Sequence, residues 1–225
     1  MLLTDDRAAS VETLRRRIRW IVTATIAYNV IEAIVAIASG VASSSVALIG
    51  FGLDSVVEVL SAAAVAWQFT RRDPEKFEKP VLRVIAVSFF LLAAWVSVNA
   101  VLSLAGVFEP KHSTIGIILT ALSVIIMPLL SLAEYRTGRE LGSATAIADS
   151  RQTLICSLLS AAVLVGLALN SLFGWWWADS VAALVIVVFA VREGSEAWRG
   201  DTCATPIGML LDDDDDDHDH DGGHA

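Results

Sequence analysis

VALIGFGLDSVVEVLSAAAVAWQF, residues 46–69, is an apolar run with two acids, Asp54 and Glu58, near its middle. A spanning helix needs about 20 mostly apolar residues, and this run has that length. On a helix, a four-residue step stacks both carboxylates on one face. Each costs about 2.5–3.5 kcal/mol at the centre of a membrane helix. Two such groups persist where something compensates them, and a bound cation is the simplest compensation. The pair therefore predicts a membrane protein that handles a divalent metal; a polar cluster that only packs helices is the rival explanation.

Working outward, five further runs have the same character. The six predicted spans are 18–39, 46–69, 81–107, 113–133, 146–173 and 177–198. With 55% hydrophobic residues in 225, the composition is that of a polytopic membrane protein. The short gaps predict one all-α bundle over 18–198. A segment at 1–17 precedes it and a tail at 199–225 follows. The basic residues before the first run suggest a cleaved signal, but the run exceeds a signal core of roughly 7–15 residues. It also carries Asn29 and Glu32, so a retained helix is expected.

Charge gives the orientation. With both ends cytoplasmic, 15 of the 16 basic residues lie on the inner side and only Lys111 lies outside. That bias fits six spans and is scrambled by five or seven. Trp175, Trp176 and Trp177 then fall at the outer interface, where indole rings concentrate. The net charge of −9 belongs to the tail: Asp212–Asp217, Asp219 and Asp221 carry eight of those charges. That segment is expected to be disordered. Its His218, His220 and His224 stand among the carboxylates, as in a weak metal-gathering tail or simply a solubilising end. Cys156 lies deep in the fifth span and Cys203 beyond the sixth, which predicts two free thiols and a reducing cytoplasmic side.

Depth along the helices brings polar residues to one level. At about 1.5 Å of rise per residue, Asp54 and Glu58 straddle mid-bilayer. On the fifth span Asp149, Gln152, Cys156 and Ser160 form one polar stripe, with Gln152 and Cys156 near the same depth. Thr25, Asn29 and Glu32 form a shorter stripe on the first span, and Ser88, Asn99 and Ser103 a weaker one on the third. Carboxylates from Asp54 and Glu58, sulfur from Cys156 and an amide oxygen from Gln152 make a mixed set of four. Such a set suits tetrahedral Zn²⁺ better than Ca²⁺ or Mg²⁺. Cys156 is equally a small packing residue, and Gln152 is equally a hydrogen-bond donor to a carboxylate.

Two runs resemble the cation diffusion facilitator family of metal/proton antiporters. SVALIGFGLDSVVE, residues 45–58, is similar to the family's second helix, whose metal pair reads D-x-x-x-D or H-x-x-x-D. ADSRQTLIC, residues 148–156, is similar to its fifth helix, which reads A-D-x-x-H-x-x-x-D. By that match Asp149 keeps the first Asp, while Gln152 and Cys156 occupy the positions of the His and the last Asp. Residues 174–182, with Trp177-Ala178-Asp179, resemble the start of the sixth helix.

The resemblance implies a six-helix bundle that exports a divalent cation, Zn²⁺ above all, from the cytoplasm against protons. It implies a homodimer in the bilayer, with helices 1, 2, 4 and 5 rocking against 3 and 6. The roughly 27 residues after the sixth span leave no room for the family's cytoplasmic metal-binding domain, which points to a transmembrane-only branch. Loss of the His leaves Glu32, at similar depth, as the proton-coupling carboxylate or a third acidic ligand. A multi-pass protein of a bacterial inner membrane is expected, with no nucleic acid as partner. The sequence holds no G-x-x-x-x-G-K-[ST] phosphate loop, so ion gradients rather than hydrolysis are expected to drive transport. The alternatives are a non-transporting metal-binding or sensing protein, a partner subunit of a full-length antiporter, and an exporter of a small organic cation.

Overall fold

The computed structural model describes residues 2–69, 74–107, 109–141 and 144–199. They form six α-helices: α1 Leu2–Ser43, α2 Val46–Phe69, α3 Pro74–Leu104, α4 Thr114–Leu141, α5 Ala144–Phe173 and α6 Trp177–Arg199. No strand occurs among the described residues. The all-α expectation therefore holds. Helix α1 extends well beyond the predicted span, so the basic cluster around Arg16, Arg17 and Arg19 rides on the same helix as Asn29 and Glu32.

Helices α1 and α2 form a tight antiparallel pair. Ser44 turns the chain with φ of 56°, and the Ser45 amide donates to the Gly40 carbonyl at 3.0 Å. This left-handed residue closes the last carbonyls of α1 before α2 starts. Two glycines permit the close crossing. A Cβ on Gly40 would stand 2.8 Å from the Ile49 amide nitrogen, and one on Gly52 3.0 Å from that of Ile37. Small residues let membrane helices approach where no hydrophobic effect drives them together.

The main pairings are α4 with α5, α3 with α6, and α1 with α2; α2 also touches α3, α5 and α6 and is the central helix. Its Leu48 and Phe51 are fully buried, with Val96 of α3, Met127 of α4, Val163 of α5 and Ile186 of α6. Outside the bundle, Ile34, Leu91, Leu129 and Val188 are exposed, as lipid-facing side chains are. Exposed Trp20 and Trp198 mark one end of the bundle. Exposed Trp175 and Trp177, stacked at 5.3 Å, mark the other.

Among the described residues, five helices are long and apolar enough to cross a bilayer. The sixth, α6, is shorter in this sense than predicted, because Asp179 and Arg192 bound its apolar run of 180–191. Both charges are answered locally. Arg192 pairs with Glu196 at 2.9 Å. Asp179, fully buried, accepts from the Ser45 hydroxyl and from the Val46 and Ala47 amides at 2.9 and 3.2 Å. An acid of α6 thus caps the start of α2, where unpaired amides and the helix dipole favour negative charge.

Candidate metal centre

The apolar surroundings of α2 force its two acids into the interior. Asp54 is 5% exposed and Glu58 half-buried. Cys156 of α5, fully buried, completes the group: one ligand atom each from Asp54, Glu58 and Cys156 lie within 4.8 Å of one another. Asp54 is the ninth residue of α2 and Glu58 the thirteenth, so they sit about 12 and 18 Å along the helix. Two carboxylate oxygens and one sulfur can hold a dication, and the paired charges of the acids balance it.

Neighbouring helices orient the acids. Asn29 of α1 donates from Nδ2 to Glu58 Oε2 at 2.8 Å, and Gln152 of α5 donates from Nε2 to Glu58 Oε1 at 3.4 Å. Gln152 therefore presents its nitrogen, not its oxygen, to the site, which matches its reading as a hydrogen-bond donor. Glu32, fully buried, lies outside the ligand trio. It accepts from Ser55 of α2 at 2.9 Å and from Ser123 of α4, whose hydroxyl also meets Tyr28 at 2.8 Å. The chain Tyr28–Ser123–Glu32–Ser55 runs beside the trio, because Ser55 follows Asp54 directly.

The site is closed on one side. Towards the start of α2, Phe51, Leu48, Ala47 and Ser45 are all fully buried, and the Asp179 cap seals that end. Towards the other end, Glu58 and Gln152 are half-buried and Leu60 is exposed. That end carries Arg16, Arg17, Arg19, Arg83, Arg139 and Arg199.

The stripe on α1 proved broader than its spacing implied. Its three residues serve three different carboxylates: Thr25 donates to Glu134 of α4 at 2.8 Å, Asn29 to Glu58, and Glu32 is itself one. Glu134, fully buried and also accepting from Thr153 at 3.0 Å, escaped the sequence reading because the fourth span was ended at 133. Thr25 alone could not have signalled it, since its hydroxyl also bonds back to the Ile21 carbonyl at 3.1 Å. The stripe on α3 dissolves, since Ser88 and Asn99 bond back to their own helix at 3.0 and 2.8 Å. The side chain of Asp149, together with His218, His220 and His224, lies outside the described residues.

The class defined so far is an all-α, multi-pass membrane bundle with an acid–acid–thiol cluster that could hold a metal ion. A family model described as "Cation efflux transmembrane domain" matches residues 22–199, and the chain belongs to that family. It is 24% identical over 189 residues to Transmembrane protein 163 of Xenopus laevis, covering 81% of this chain and 66% of that protein. It is 30% identical over 79 residues to the Cation-efflux pump FieF of Shewanella oneidensis, covering 35% and 26%. An uncharacterised transporter of Methanocaldococcus jannaschii is 24% identical over 194 residues, covering 81% and 66%. The chain thus spans just under two thirds of the length of the frog and archaeal relatives. Frog, bacterium and archaeon all hold relatives, so the family is not confined to bacteria.

Proposed function

We propose that this protein carries a divalent cation, with zinc as its cargo, out of the cytoplasm in exchange for protons. One observation carries the reading: ligand atoms of Asp54, Glu58 and Cys156 converge within 4.8 Å inside the membrane bundle of a cation efflux family member. The two carboxylates supply the charge that stabilises a dication away from water. A thiolate adds the softness that suits zinc above magnesium or calcium.

Two facts support the proposed direction. The site is shut beyond Phe51 and Leu48 and more open at Glu58 and Gln152. The open side faces the basic end, which the inner-leaflet bias of Lys and Arg assigns to the cytoplasm. A cation loads from that side. Release on the far side needs α2 to part from α6, where Ser45 and Asp179 meet. Glu32 is the proposed proton carrier, since it is buried beside the site yet outside the ligand trio. Its hydroxyl partners on α2 and α4 would register movement of either helix.

The test is zinc flux into proteoliposomes containing a zinc-sensitive dye. Flux is expected from the native protein and is expected to vanish in Asp54→Ala and in Glu58→Ala. Binding without flux in the native protein would replace the transporter reading with that of a metal-binding or sensing protein. Flux of an organic cation that zinc does not inhibit would remove zinc as the cargo.

A further inference from the structure

The trio leaves a tetrahedral ion one ligand short, and Asn29, hydrogen-bonded to Glu58, carries a buried side-chain oxygen without a partner among the described residues. Its side chain is 94% buried on the 6% exposure of the residue, and its Nδ2 is fixed on Glu58. Its Oδ1 is buried with no hydrogen-bond partner among the described residues. A buried amide oxygen is seldom left bare, so a native structure holds one where it has a use. Both amide atoms belong to one planar group, so a half-turn about its terminal torsion exchanges Oδ1 for Nδ2, which stands 2.8 Å from Glu58 Oε2.

We propose that Asn29 supplies the fourth ligand, its Oδ1 binding the cation held by Asp54, Glu58 and Cys156. The inference rests on the metal-site reading and goes beyond it by adding a residue from α1. Without the ion, the charge of Glu58 draws the donor end of the amide towards it. With the ion in place, that charge is neutralised, and rotation of the amide about its terminal torsion turns Oδ1 to the metal. The amide has a donor end and an acceptor end, so one side chain serves both states.

A neutral ligand also fits a site that must let go. Two carboxylates and a thiolate already exceed the charge of a dication, and a further anion would hold the ion too firmly for turnover. The amide oxygen completes the shell without adding charge. An amide oxygen is also a harder donor than an imidazole nitrogen, so Mn²⁺ should compete with zinc more closely than at a His-containing site.

The experiment is zinc titration of the full chain in detergent, with Co²⁺ absorption as a second readout of ligand number. An Asp54→Asn/Glu58→Gln double variant gives the background from the Asp- and His-rich tail. Asn29→Leu removes both ends of the amide at similar volume and is expected to weaken zinc about 10–100-fold over that background. Asn29→Asp keeps an oxygen and loses the donor, and is expected to bind zinc at least as tightly as the native protein while slowing flux. The Co²⁺ spectrum should stay tetrahedral in Asn29→Asp and change in Asn29→Leu. Thermal unfolding without metal confirms that both variants fold.

Equal weakening in both variants would mean that Asn29 only steadies Glu58, and the inference falls. Unchanged affinity in Asn29→Leu also overturns it, whatever Asn29→Asp does. If the double variant binds zinc as well as the native protein, the metal-site reading itself fails, which is a different result.

Discussion

At the scale of single residues, Cys156 separates a ligand from a filler. It lies at the position where the resemblance places a carboxylate, and a thiol and a carboxylate share the ability to bind metal once deprotonated. Fully buried on α5, it sets its sulfur among the acids of α2. Cys156→Ala should lower zinc affinity by at least about tenfold with little loss of fold, since it removes one sulfur and creates a small void. Cys156→Ser should recover part of the affinity and shift preference from Cd²⁺ towards Mn²⁺, because oxygen is harder than sulfur. Metal titration of the two variants decides the matter; unchanged affinity in Cys156→Ala returns the residue to packing.

At the scale of elements, the bundle is joined by polar contacts that a hydropathy profile does not display. Asp179 of α6 holds the first turn of α2, and Ser45 both caps that turn, accepting from the Leu48 amide at 3.1 Å, and donates to Asp179. Removing the acid leaves two buried amides without their acceptor. Asp179→Ala should destabilise the protein by about 2 kcal/mol, read from unfolding in mixed detergent micelles. Zinc affinity should change little, because Asp54 lies two turns further along α2. A large loss of affinity without loss of stability would contradict the capping role. The same logic explains why an acid at the start of α6 is compatible with a membrane bundle: its charge is answered by the end of another helix.

For the whole molecule, the proposed exchange of metal for protons predicts a pH dependence with a definite sign. Asp54, Glu58 and Cys156 bind a cation only after losing their protons, so metal and proton compete for the same atoms. Zinc affinity should therefore fall as pH falls, by up to about tenfold per pH unit for each proton displaced. Glu32→Gln should leave that dependence of binding intact, because Glu32 is outside the trio. It should, however, abolish flux driven by a pH gradient across proteoliposomes. Retained pH-driven flux in Glu32→Gln would move the proton to the ligands themselves.

The sequence by itself determined the helical bundle, the pairing of Asp54 with Glu58 and the depth of Cys156, because apolar length and the helical repeat are local properties. It also marked the stripe Thr25, Asn29 and Glu32, but not what each faces. Tertiary structure alone decided that Asn29 reaches Glu58, that Glu32 stays with Ser55 and Ser123, and that Glu134 is buried beyond the predicted end of its span. It likewise decided that Asp179 caps the start of α2. Those contacts join residues up to 134 positions apart, and no periodicity within one helix says how that helix is rotated against its neighbours.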